Sequence, residues 1–255
     1  KVIDGNIQNG NSLTARVDRE RRLAIARNHT VTHLLQSALR EVLGDQVHQA
    51  GSLVTPDRLR FDFTQYEALT QEQIQRVERM VNGWIWAAIP VHTKQMSLKE
   101  AQAEGATALF GEKYGDSVRV VSVGDISMEL CGGTHLSNTG QAGLFQIISE
   151  SSTAAGVRRI EAVTGWAAYE IMEKQKDIVS VLQQELRTDE DNIQDRINAL
   201  KEELRVANKE LSALKAEKTK GAVDEALDQV RETGGVKWIA TRLDGMDVQQ
   251  LRESA

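Results

Sequence analysis

The sequence predicts an α+β protein: a mixed or antiparallel sheet with packed helices, followed by a coiled-coil helical segment. Three observations predict it. After Asp18, the residues Leu23, Ala26, Val31, Leu34, Leu35, Ala38, Leu39 and Val42 recur at helical spacing and stop at Gly44. Short alternating runs rich in β-branched residues then recur between residues 59 and 163. From Ile193, the residues Ile197, Leu200, Leu204, Ala207, Leu211 and Leu214 keep a 4-3 spacing with Lys and Glu between them. That is the seam of about three heptads.

Taken in order, residues 1–18 hold Gly5-Asn6 and Asn9-Gly10-Asn11 between short apolar runs and read as a hairpin, the remnant of a preceding β domain. Asp18 supplies the N-cap of the helix that follows. Residues 59–63 alternate as a strand, and residues 69–88 read as a helix capped by Thr70. A strand at 90–94 and a short helix at 97–104 come next. Further strands are expected at 118–123, 126–130, 144–149 and 157–163, forming one sheet with helices on one side. Trp84 and Trp86 are expected to serve the core. Thr164 is expected to cap a helix ending near residue 186, and Thr188-Asp-Glu-Asp191 to open the heptad helix. A helical hairpin and an intermolecular coil both satisfy that pattern. Residues 234–240 read as a glycine-led strand and residues from Val248 as a helix, the opening of an α/β domain. The expected division is thus 1–18, 19–165, 166–220 and 221–255, a segment of something longer.

Composition narrows the partners. Of the 255 residues, 40% are hydrophobic, enough for a core plus a second element. A net charge of -6 supplies no bulk attraction for nucleic acid, so RNA contact would need a local basic patch. The densest such stretch is Arg16, Arg19, Arg21, Arg22 and Arg27, interleaved with Asp18 and Glu20. One cysteine rules out an internal disulfide and fits a reducing, cytoplasmic setting. No apolar run approaches the roughly 18 residues of a membrane span, so no membrane partner is expected.

The chemistry concentrates in two ligand pairs, His29-Thr-Val-Thr-His33 and Cys131-Gly-Gly-Thr-His135. They take three of the five histidines and the sole cysteine. His29 and His33 sit at i and i+4 on the first helix and project from one face. Cys131 and His135 follow a strand end, where two glycines give the backbone freedom to curl. Imidazole and thiolate are the donors Zn2+ favours. The helical pair lacks the Glu of His-Glu-x-x-His, which removes the base of a zinc protease. If all four donors bind, the site is closed; if three bind, a water takes the fourth corner. Spacing leaves both open.

Beyond the quartet, Leu34-Leu35, Gln49-Ala-Gly-Ser52, Glu129-Leu-Cys-Gly-Gly-Thr-His135 and Gly156-Val-Arg-Arg-Ile-Glu-Ala-Val-Thr-Gly165 resemble the editing domain of alanyl-tRNA synthetases. The resemblance covers residues 20–165, and the flanking segments follow the order of a bacterial synthetase of that kind. Editing domains of threonyl-tRNA synthetases are similar but typically carry Cys-x-Gly-Pro-His; Cys-Gly-Gly-Thr-His favours the alanyl branch.

The resemblance implies a zinc-containing editing domain over 19–165 that hydrolyses Ser-tRNA-Ala and Gly-tRNA-Ala. The need is physical: an alanine pocket admits glycine and rejects serine poorly, and differences of about 1–3 kcal/mol fall short of translational accuracy. It implies Zn2+ held by His29, His33, Cys131 and His135, with Gln49 and the ligand Cys131 as catalytic candidates. Thr30, Ser52 and Arg158 are the implied substrate-binding residues, with Arg158 and Arg159 on opposite faces of a strand. Glu129 is placed either to orient a metal ligand or to be simply solvated. The implied partner is tRNA-Ala, with self-association through the coil or the C-terminal part. The competing expectation is a zinc-stabilised module that binds tRNA and dimerises without hydrolysing anything.

Overall fold

The computed structural model describes residues 5, 6, 8–108, 114–228 and 230–240. It divides into two compact units, Lys1–Gln175 and Lys176–Ala255. The expected N-terminal hairpin is not formed by the described residues. A turn at Asn9-Gly10, closed by Asn11 N donating to Gln8 O at 3.1 Å, is followed by irregular backbone. Leu13 and Val17 stand exposed there, and an isolated two-stranded ribbon with no face to bury is marginal in water. Residues 1–4 and 7 lie outside the described residues.

Helix α1 (Arg19–Leu43) starts where Asp18 accepts from Arg21 N at 3.0 Å and ends at Gly44, whose φ of 114° few other residues tolerate. Strands β1 (Gln49–Val54) and β2 (Leu59–Thr64) follow, then α2 (Gln71–Trp86), opened by the reciprocal Thr70–Gln73 capping box. Strand β3 (Val91–Ser97), α3 (Leu98–Ala103), β4 (Ser117–Val123) and β5 (Ser127–Leu130) complete the first half. A 3-10 turn (Thr139–Ala142) leads into β6 (Phe145–Ala154) and β7 (Val157–Thr164). Helix α4 (Trp166–Leu186) continues from there.

The strands make two antiparallel sheets in place of the expected single one: β1-β2-β7-β6 and β3-β4-β5. Strand β1 went unread because a bulge between Gln49 and Gly51 breaks its alternation and small residues fill it. In β2 the pattern is clean: Leu59, Phe61 and Phe63 are fully buried against α1 and α2. Leu34, Leu35 and Leu39 of α1, Val77, Val81 and Ile85 of α2, and Ile160 of β7 fill the same core. Each such side chain contributes about 1.5–3 kcal/mol by leaving water.

Two expected roles change. Trp84 packs on the core, but Trp86 is 75% exposed, since residues two apart on a helix face nearly opposite ways. Thr164 does not cap α4: it ends β7, and its buried hydroxyl donates to Asn28 Oδ1 at 2.7 Å. Gly165, at φ 58°, turns the chain into the helix instead.

In the second unit, Asp189 caps a 3-10 turn (Glu190–Asn192) that opens α5 (Ile193–Leu227). Leu204, Leu211 and Leu214 of the heptad seam are exposed. The glycine-led strand proves to be a hairpin, β8 (Arg231–Thr233) and β9 (Val236–Trp238), turning at Gly234-Gly235 with φ of 62° and 82°. The helix expected from Val248 lies outside the described residues. Among those residues no helix is long and apolar enough to cross a membrane.

One buried amide ties α2 to the sheet. Asn82 donates to Phe145 O at 2.9 Å and accepts from Phe145 N at 2.9 Å. Replacing it leaves both backbone groups of Phe145 unpaired in the core. Asn82→Ala is expected to destabilise the protein by about 2–4 kcal/mol in urea unfolding; a loss under about 0.5 kcal/mol would show these bonds to be dispensable.

Candidate metal centre

The fold brings the two ligand pairs together. Helix α1 aims His29 and His33 outward from its buried face, with ring centroids 5.5 Å apart. Strand β5 ends at Leu130, so Cys131 emerges at its tip and the loop to Leu136 runs back across α1. The His135 ring lies 4.2 Å from that of His29 and 4.8 Å from that of His33. Cys131 Sγ is 3.5 Å from His29 Nε2 and 3.2 Å from His135 Nε2. One donor atom from each residue falls within 4.8 Å of all the others. Zn–N and Zn–S bonds of about 2.0–2.3 Å separate tetrahedral donors by roughly 3.3–3.8 Å. The sulfur contacts, at 3.5 and 3.2 Å, lie at or just under that spacing, and all donor pairs stay within 4.8 Å. The cluster could therefore hold a metal ion.

Buried groups behind the ligands hold their rings. Thr30 accepts from Leu136 N at 3.0 Å, and its Oγ1 lies 3.2 Å from His135 Nδ1, which turns Nε2 toward Cys131. Glu129 Oε2 lies 3.0 Å from His33 Nδ1, within ion-pair range although not aligned as a hydrogen bond. Its other oxygen accepts from Ser127 Oγ at 2.8 Å. Burial by itself would lower the His33 pKa, but bonding to Cys131 and Glu129 outweighs it and lifts the value to about 9. Burial by itself would raise the Cys131 thiol, yet His135, His29 and His33 pull it down to about 3. Burial keeps His135 below the usual histidine value, with Cys131 opposing. These neighbours favour the thiolate, the form a metal ligand needs.

The two glycines are not equivalent. Neither has a left-handed backbone, so the expected conformational freedom is not what either supplies. A Cβ at Gly133 would overlap the His29 ring, whereas one at Gly132 meets nothing within 4 Å.

Other expected site residues scatter. Gln49, half-buried on β1, lines a cleft of about 450 Å³ with Gln36, Arg40, His48, Thr64 and Thr107. A second cleft of about 390 Å³ shares Gln36, Arg40 and Thr107 and reaches Ser127 and Glu129. Thr107 is bonded into the edge of β5, its N–H to Met128 O at 2.8 Å. Gln36 follows His33 by one helical turn. The clefts therefore run from Gln49 to the carboxylate behind His33. Sequence reasoning missed Gln36, a polar residue on the buried stripe of α1, and Thr107, which carries no local signal.

Thr30 is a buried partner of His135 and not an open hydroxyl for substrate. Ser52 is exposed opposite Phe61 and lines neither cleft among the described residues. Arg158 and Arg159 do face opposite ways, but each is paired. Arg158 binds Glu150 at 2.5 and 2.7 Å, and Arg159 binds Asp62 at 2.6 and 2.7 Å. The Arg159 guanidinium holds the Asp62 carboxyl below its usual range. Arg158 thus closes an internal ion pair where a contact to RNA was expected. Of the basic stretch, Arg27 Nε is used on Gln141 O at 3.0 Å.

A helical histidine pair meeting a loop cysteine and histidine in one cluster gives an α+β domain that could hold a metal ion, and residues 118–161 match the family described as "Threonyl and Alanyl tRNA synthetase second additional domain". The chain is also similar along its length to alanine–tRNA ligases: 52% identical over 254 residues to that of Clostridioides difficile and 49% over 254 residues to that of Acetivibrio thermocellus. Each of these matches covers 100% of this chain and 29% of the relative. The ligase of Thermotoga maritima is 50% identical over 236 residues, 92% of this chain and 27% of the relative. Over its whole length the chain corresponds to a segment of alanine–tRNA ligases, spanning 29% of the length of these first relatives.

Two outcomes follow from the geometry. Gly133→Ala is expected to displace His29 and weaken Zn2+ binding at least about 10-fold, while Gly132→Ala leaves it unchanged, as read by calorimetric titration. Equal effects of the two would show that the overlap at His29 does not matter. Glu129→Gln is expected to lower metal affinity by about 10- to 100-fold; full affinity in that variant would remove the carboxylate from the centre.

Proposed function

We propose that the first unit is a proofreading hydrolase that releases serine or glycine wrongly attached to tRNA-Ala, with Zn2+ at His29, His33, Cys131 and His135. The observation that carries this reading is the convergence of those four donors, with Gln36, one helical turn beyond His33, lining the same cleft as Gln49. The similarity of the chain to a segment of alanine–tRNA ligases supports it. Zn2+, when bound, supplies a fixed positive charge that favours developing negative charge on an ester oxygen.

The protein's own groups do the rest. Gln49 can donate and accept at once, which suits holding an ester carbonyl or an amino-acid hydroxyl in the cleft. Thr30 and Glu129 keep the His135 and His33 rings from turning. Burial of His33 and Glu129 keeps water from their contact. Four protein donors fill a tetrahedral shell, so the centre orients substrate in this reading and does not rely on an open metal corner. The same reading takes tRNA-Ala as partner and the cytoplasm as setting.

A second reading has one observation in its favour. The apolar seam of α5 is exposed at Leu204, Leu211 and Leu214, which suits a module whose zinc is structural and whose helix pairs with another copy.

Release of serine from Ser-tRNA-Ala by the full chain decides between them. Gln49→Ala is expected to slow release by about 100-fold, the scale of losing one transition-state donor. Cys131→Ala is expected to slow it and to lose metal together. Zinc-loaded protein that releases no serine, or release untouched by both changes, would sink the hydrolytic reading.

A further inference from the structure

We propose that Arg119 is the positioning residue for the cysteine half of the metal centre; this rests on the metal reading above. The two halves are supported very differently. His29 and His33 ride on α1, whose backbone bonds hold them. Cys131 through Leu136 form neither helix nor strand, so the shape of that loop depends on a few discrete bonds.

Arg119 makes three of them. It lies on β4, between the buried Val118 and Val120, and its own side chain is half-buried. Val120 pairs with Leu130, and Cys131 N donates to Arg119 O at 3.0 Å, so the ladder reaches one residue beyond β5. The side chain then turns back over that residue. One terminal guanidinium nitrogen donates to Cys131 O at 2.8 Å and to Gly133 O at 2.6 Å. The other lies 3.4 Å from Thr93 Oγ1 on β3.

The consequence is geometric. Carbonyls on both sides of Gly132 are held by one planar group, which fixes the peptide planes that follow Cys131 and Gly133. Gly133 is thereby pressed against the His29 ring, at the one position where a Cβ would overlap it. Cys131 Sγ is held facing His29 and His135. A lysine ammonium could donate to the same two carbonyls, but it has no second nitrogen to reach Thr93 and no planar group to fix the direction of its bonds. A guanidinium beside two carbonyls also sets positive charge next to the loop that carries the thiolate.

The test titrates Co2+ into metal-free full-length chain, comparing wild type, Arg119→Met, Arg119→Lys and Arg119→Met/Cys131→Ala. Three readouts are followed: affinity, the thiolate-to-cobalt absorption band, and the rise in melting temperature on loading. Arg119→Met is expected to lose about 10- to 100-fold in affinity and to weaken the thiolate band, with Arg119→Lys recovering only part. Adding Cys131→Ala to Arg119→Met should abolish the thiolate band, which assigns the weakened band of Arg119→Met to Cys131. Unchanged affinity and band in Arg119→Met would overturn the proposal. So would an equal fall in melting temperature with and without metal, the mark of a role in the strand alone. Wild type that takes up no Co2+ would instead overturn the metal reading, and the role of Arg119 with it.

Discussion

The rotational setting of α1 about its own axis is the constraint on which everything else rests. Leu34, Leu35, Ala38 and Leu39 are fully buried against Phe61, Phe63 and their neighbours, and that stripe locks the helix in azimuth. Each residue advances about 100° around a helix, so a slip of one position would carry these side chains toward water at about 1.5–3 kcal/mol each. The same lock aims His29 and His33 at the Cys131 loop and Gln36 at the cleft. Packing energy thus sets the geometry of the site. The polar bonds then refine it: Asn28 donates to Thr55 O at 2.9 Å, and Ser37 to Ile126 O at 2.9 Å.

Much of this was legible because it is local. The caps at Asp18 and Thr70 sit where their side chains announced them, and the helices they open follow. The strict alternation of β2 and the valines of β4 are equally plain. Each ligand pair was visible for the same reason, since spacings of four residues are settled within one turn of helix or one loop. What stayed hidden is long-range. The division into two sheets depends on which strands pair, and pairing follows tertiary packing and not the run of any strand. Gly133 is required by a ring more than a hundred positions earlier in the chain. Arg119 looked like one polar residue in an apolar strand.

Pairing also explains the setting of two charged residues. The sequence suggests that one of Arg158 and Arg159 reaches tRNA phosphates and the other forms a salt bridge, whereas both are paired within the fold. Their partners come from neighbouring strands, Glu150 on β6 and Asp62 on β2. Antiparallel registry puts such residues side by side across a ladder, and a partly buried guanidinium takes the nearest carboxylate. Trp86 fails the other way: composition put it in the core, and its azimuth on α2 put it outside.

Cys131 and His33 stand nearly a hundred positions apart, one at the tip of the three-stranded sheet and the other on the helix that roofs the four-stranded one. An ion held between them is therefore a cross-link as well as a site. It closes a long loop of chain, and closing such a loop removes conformational freedom chiefly from the unfolded ensemble. It also makes two sheets that share no strand answer to one event. Were such an ion lost, the smaller sheet would keep the bond from Ser37 to Ile126 and the packing of Val123 but lose its tie at the Cys131 end, so a bound metal would add to the cooperativity of this unit.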